Sequence, residues 1–232
     1  MAVGAAPGLG WGIFVGHPET TVLPTAVESA VRSWLAEGSD RPTASVVASS
    51  PGVSSTAVFD DPRSGDAAFE EQPLKIGEDF GDAFGVLARP RSPADPDFCA
   101  VFLNAGAIRH IGPNRMWVDA ARELARRGVQ SVRLDLESIG EADGDPSARA
   151  TVGDFYDARF VAQVTAALDA LDRRGTARRF QLIGLCAGAY WSFRVALVDD
   201  RVEGVTLLNS GALVWHAGIL NEREGRRVAR AF

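Results

Sequence analysis

Phe180-Gln181-Leu182-Ile183-Gly184-Leu185-Cys186-Ala187-Gly188-Ala189-Tyr190-Trp191 is the stretch on which the reading of this chain turns. Residues 180–185 form an apolar run of strand length, and residues 189–198 follow with helical spacing. Between them stands Gly184-x-Cys186-x-Gly188. A strand that turns this sharply into a helix lifts one side chain above the sheet edge, the arrangement of a nucleophile elbow. Glycines on both sides of the central residue leave room where Cβ atoms would crowd the turn. The cysteine then begins a helix, where the dipole and unpaired N–H groups favour a thiolate and afterwards an oxyanion. The plainer reading is a buried strand–helix turn in which Cys is only a small hydrophobe.

Composition narrows the setting. The chain has 232 residues, 46% hydrophobic and 23% charged, which suits a globular α/β domain with a sizeable core. A net charge of −6 argues against a nucleic-acid partner or an anionic membrane surface. Two cysteines, Cys99 and Cys186, cannot build a disulfide framework, and no Cys/His cluster has metal-ligand spacing. No apolar run reaches membrane-spanning length, so no membrane insertion is expected, and a cytoplasmic enzyme-like protein is the default. No cofactor is expected either, because Gly184-x-Cys186-x-Gly188 lacks the Gly-x-Gly-x-x-Gly spacing of a dinucleotide turn.

Outward from the elbow, strands and helices alternate. Residues 98–103, 130–136 and 202–208 read as strands, and 114–127 and 155–174 as helices. Such alternation predicts right-handed crossovers and a parallel sheet covered on both faces. Residues 69–76 and 80–88 predict a hairpin leading into that sheet. The spacing over 24–36 predicts a helix, flanked by short strands near 11–15 and 43–48, and the Ser-, Gly-, Pro- and Asp-rich stretch 49–66 reads as a linker. The chain therefore divides into an N-terminal strand–helix–strand extension with linker, 1–66, and a core, 67–232.

From about Phe69 onward the chain resembles an α/β-hydrolase, and is more narrowly similar to bacterial hydrolases associated with exosortase and polysaccharide-export systems. The resemblance rests on Asn104-Ala105-Gly106 with His110 and Gly112-Pro113-Asn114-Arg115-Met116, on Arg133-Leu134-Asp135 with Gly140, and on the elbow, in that order. It implies a mostly parallel sheet, an acyl or ester substrate of small size, and acyl-transfer chemistry at Cys186.

Residues 104–107 then occupy the place of the oxyanion loop. An N–H from Ala105 or Gly106 and one from Ala187 would converge on the oxyanion, with Asn104 orienting the loop. A tight turn leaving a strand is the simpler account of the same residues. His110 is a candidate general base that would activate the thiol as an ion pair; shaping the rim or hydrogen-bonding its own loop is the alternative. Asp135, Glu137 and Asp143 read as pocket-bordering or loop-fixing carboxylates, and Tyr190 and Trp191 as core or wall aromatics.

The family order places an acid and then a histidine on loops after two strands beyond the nucleophile. Only one strand, 202–208, follows Cys186 clearly, and His216 lies too early. The sheet is thus expected to be incomplete, completed by a partner chain or a second copy, or permuted. In the permuted reading residues 13–24 resemble the penultimate strand and acid loop, with Glu19 and His17. Two classes of function remain open: an acyl-transfer enzyme with a Cys nucleophile, or a non-catalytic binding module on the same scaffold.

Overall fold

The computed structural model describes residues 55–60 and 67–216, together with positions 25, 29–33 and 36. The chain divides into two units, Met1–Val53 and Ser54–Phe232. In the first, every described position is helical and falls inside the stretch 24–36 where helical spacing is expected. The flanking strands, His17 and Glu19 of the permuted reading, and the tail beyond 216 lie outside the described residues.

The second unit is built on a seven-stranded sheet in the order β1-β2-β3-β5-β4-β6-β7. Its strands are β1 (Ala57–Asp60), β2 (Ala67–Glu78), β3 (Gly81–Pro90), β4 (Phe98–Leu103), β5 (Gln130–Asp135), β6 (Arg179–Leu185) and β7 (Val202–Leu208). β1, β2 and β3 run antiparallel to their neighbours, and β3 meets β5 antiparallel. β5, β4, β6 and β7 run parallel, so their carboxyl ends share one edge. Among the described residues β7 pairs only with β6 and lies at the edge.

Among the described residues of this unit three α-helices cover the faces: α1 (Met116–Arg126), α2 (Ala158–Arg173) and α3 (Ala187–Ala196). On one face α2 and α3 bury Phe160, Val164, Leu168, Leu171 and Trp191 against Val101, Leu103, Val132, Leu134 and Leu182. On the other, α1 sets Trp117, Ala121 and Ala125 against Phe69, Ala88 and Phe102. The amphipathic spacing of α1 follows directly from this one-sided burial.

The helix starts are later or earlier than spacing alone predicts, for local reasons. Asn114 and Arg115 hold positive φ, so α1 starts at Met116, after a 3-10 turn over Pro113–Arg115. Residues 152–156 also form a 3-10 turn, and Asp157 caps α2 by accepting a hydrogen bond from Arg159 N at 2.8 Å. At the elbow the helix begins two residues earlier than expected, at Ala187. β1 is a strand inside the stretch expected to be a linker. Four residues embedded in Ser, Gly and Pro carry too little pattern, and its pairing is fixed by Phe59 stacking on Phe69 at 4.8 Å.

β5 is buried along its whole length, yet reads Gln-Ser-Val-Arg-Leu-Asp. Val132 and Leu134 face α2, while Arg133 and Asp135 point to the opposite side of the strand. A buried charge is stable only when it is paired and hydrogen-bonded. Arg133 finds Glu71 of β2, which also binds Arg122 of α1. The partners of Asp135 lie at the sheet's carboxyl edge.

Candidate functional site

Cys186 stands between β6 and α3 with φ 57° and ψ −113°, a conformation that L-residues rarely adopt. Its surroundings hold it there. A Cβ on Gly184 would lie 2.1 Å from Gly188 O, and one on Gly188 would lie 2.3 Å from Asn104 O. The two glycines therefore permit backbone contacts that no other residue allows, between β6 and α3 and between α3 and the end of β4. Cys186 N–H donates to Leu208 O of β7 at 3.0 Å, which anchors the turn. The side chain is exposed. Ala187, the first residue of α3, presents an N–H that has no acceptor within its own helix.

The register of β4 against β6 pairs Leu103 with Gly184, so residues 104–107 leave the sheet alongside the elbow. Asn104 is fully buried at the start of this loop. Its Nδ2 donates to Asp135 Oδ1 at 2.8 Å and to Ile108 O at 3.1 Å, and its Oδ1 accepts from Leu136 N at 3.2 Å. Ile108 N closes the turn onto Ala105 O at 3.2 Å, and Gly106 at its apex has φ +57° with open space around its α-carbon. Ala105, Gly106 and Ala187 are thus brought to the same sheet edge as Cys186.

His110 is held elsewhere. Its Nδ1 lies 2.7 Å from Asp135 Oδ2, its backbone N–H donates to Asp135 Oδ1 at 2.5 Å, and its ring packs on Phe84 of β3 with centroids 5.2 Å apart. Phe84 is the register partner of Asp135. In the strand order β3-β5-β4-β6, these partners lie on the far side of β4 from the elbow. At about 4.8 Å per strand, β5 and β6 are roughly 10 Å apart. Among the described residues no hydrogen bond joins His110 to Cys186; the hydrogen bonds of His110 go to Asp135.

The remaining residues have separate places. Glu137 accepts from Gln163 Nε2 of α2 at 2.8 Å, and Asp143 accepts from Asp82 N at 3.0 Å, each fixing the loop after β5. Tyr190 and Trp191 are buried; Trp191 Nε1 donates to Phe155 O at 2.5 Å. Tyr190 meets Tyr156 edge-on, and Tyr156 stacks on Trp215 at 3.9 Å. His216, the last described residue, is exposed. Among the described residues no group of three His, Cys, Asp or Glu side chains is placed to hold a metal ion, and no helix is long and apolar enough to cross a membrane. A groove of about 410 Å³ runs between α2 and α3, lined by Val161, Thr165, Tyr190 and Arg194, apart from Cys186 and the 104–110 loop.

No family model matches the chain, and no curated protein matches it by sequence. Solved structures do match. A cold-adapted esterase from an Arctic intertidal metagenomic library, in complex with PEG, superposes with a TM-score of 0.50 at 20% identity over 68% of this chain and 67% of its own. The chain has an α/β-hydrolase-like fold. Also similar are a lid-free α/β serine hydrolase from Xanthomonas campestris (TM-score 0.49, 20% identity, 63% of this chain and 64% of that one) and an α/β hydrolase from Penicillium sp. sh18 (TM-score 0.49, 18% identity, 59% and 45%). This chain spans less than two thirds of the length of the latter two. At such identity the likeness concerns the fold, and the chemistry rests on the residues at the elbow.

Proposed function

We propose that this α/β-hydrolase-like protein is an acyl-transfer enzyme of esterase, thioesterase or acyltransferase type, with Cys186 as its nucleophile. The observation that carries the reading is the positive φ of Cys186, enforced by the backbone contacts at Gly184 and Gly188. Strain of this kind persists only where surrounding structure over-determines it, and it is concentrated at functional sites. We further propose a relation to exosortase-associated hydrolases, on the strength of Asn104-Ala105-Gly106, Arg133-Leu134-Asp135 and the elbow.

In the reaction, the Cys186 sulfur attacks an ester or thioester carbonyl and its proton passes to solvent at the exposed edge. The developing oxyanion is received by Ala187 N–H, at the positive end of the α3 dipole, and by an N–H of Ala105 or Gly106. The alcohol or thiol departs, and water or a second acceptor releases the acyl group from the thioester. Ile108, Val152, Leu213 and Val214 are exposed apolar side chains on loops that leave the same sheet edge, and they favour an apolar acyl group over a charged one.

Replacing the nucleophile tests the assignment. Cys186→Ala is expected to lower ester and thioester turnover at least about 100-fold while leaving thermal unfolding within about 1 kcal/mol of wild type. Cys99→Ala serves as the comparison, because Cys99 is fully buried in the core. Equal turnover by Cys186→Ala and wild type refutes the assignment. Wild-type protein without turnover but with saturable binding of an acyl ester supports the binding-module reading, which the engagement of His110 with Asp135 favours.

A further inference from the structure

The loop that carries the oxyanion donors is tied at both ends to one carboxylate. Asp135 is fully buried and receives four donors: Asn104 Nδ2, His110 N, His110 Nδ1 and Glu141 N. Asn104 opens the loop and His110 closes it, so residues 105–109 are spanned between two anchors on the same side chain. The carboxylate sits on β5, the sheet's most completely buried strand, and not on the loop it holds. Gly140 is shaped to admit it: a Cβ there would lie 2.1 Å from Asp135 Oδ2.

We infer that Asp135 is a clasp that sets the geometry of the oxyanion loop, and that His110 is a positioning residue acting through that clasp, not the base that deprotonates Cys186. Resting on the acyl-transfer reading, this assigns the imidazole a single task, donation from Nδ1 to the carboxylate. An asparagine amide nitrogen can occupy the Nδ1 position and make the same donation, but it cannot accept a proton from a thiol. The two roles of His110 are therefore separable by substitution.

The experiment measures two reactions of Cys186 in wild type, His110→Ala, His110→Asn and Asp135→Asn. One is acylation by p-nitrophenyl acetate, in which a C–S bond forms, the ester C–O bond breaks, p-nitrophenolate leaves with the electron pair, and the thiol proton goes to buffer. The other is alkylation by iodoacetamide, a displacement at carbon that creates no oxyanion. Native protection of Cys99 from the same reagent reports that each variant is folded. A donor misplaced by about 1 Å costs on the order of 100-fold, so His110→Ala and Asp135→Asn are expected to slow acylation about 10- to 100-fold. Alkylation should stay within about twofold of wild type in both. His110→Asn should restore acylation to within about threefold. If His110→Asn loses acylation as fully as His110→Ala, and alkylation falls with it, His110 is a base and the inference is overturned. Wild type that alkylates at Cys186 but is never acylated overturns the acyl-transfer reading instead, and the clasp's role in catalysis with it.

Discussion

Glu71→Ala is expected to destabilise the folded unit by about 3–5 kcal/mol, the usual cost of removing one partner of a buried ion pair. Arg133 lies on the fully buried strand β5, with its side chain 4% exposed. Its Nη2 donates to Glu71 Oε1 at 3.1 Å, and its Nε is buried without a hydrogen-bond partner. Burial pulls the Arg133 guanidinium below its usual proton affinity, and Glu71 opposes that pull. Without the carboxylate the guanidinium stays in the interior with nothing to offset its desolvation. Arg122, which grips the same carboxylate through Nε at 3.1 Å and Nη2 at 2.8 Å, is more accessible and can hydrate. For a unit of this size the loss should appear as a fall in Tm of roughly 6–20 °C, read by calorimetry. Replacing both charges, Glu71→Leu with Arg133→Met, should recover most of it, because the attraction of a buried pair only roughly balances its desolvation. A single Glu71→Ala variant as stable as wild type would show that Arg133 is hydrated in the folded protein.

Gly184→Ala is expected to cost about 3 kcal/mol and to remove the elbow geometry together with it. The added methyl would meet Gly188 O at 2.1 Å, Gly188 C at 2.2 Å and Ala189 N at 2.5 Å, all backbone atoms of the first turn of α3. No rotamer change relieves such a contact, so α3 must move away from β6. That movement carries Cys186 and the Ala187 N–H away from the 104–107 loop. Acyl transfer should therefore fall by more than the stability loss alone would cause, even at temperatures where the variant is fully folded. Denaturant midpoints and ester turnover measured on the same sample separate the two effects. Unchanged midpoint and turnover would mean that the close β6–α3 approach is absent in solution.

The elbow was legible in the sequence because its requirements are local. Gly184, Cys186 and Gly188 act within one turn, and an apolar strand before them and a helical spacing after them define the context. The order of strands and helices from 98 to 208 was legible for a related reason: burial on both sides writes itself as apolar runs. The partnership of His110 was not. It depends on β5 lying beside β4, which sets Asp135 next to Asn104 and His110 across 31 and 25 positions of chain. The nearest signal was Arg133 and Asp135 inside a strand otherwise fit for the interior, since buried polar residues demand partners. Strand β1 was illegible because four residues in a loop-like composition acquire their pairing from Phe69, which is distant in pattern but adjacent in space. The start of α1 was displaced because Arg115 takes a left-handed conformation that composition does not announce, and that of α2 because the residues before Asp157 form a 3-10 turn.

If Cys186 is the nucleophile, it carries an acyl group during turnover. The most direct measurement is intact-mass analysis of wild-type protein quenched in acid during reaction with an octanoyl ester, followed by peptide mapping of the adduct. A single octanoyl addition is expected on the peptide containing Cys186, lost on standing at neutral pH and absent in Cys186→Ala. Cys99 should remain unmodified, because burial pushes its thiol up to about 12 and keeps it from solvent. Turnover without an adduct at Cys186, or an adduct on another residue, would show that Cys186 is not the nucleophile.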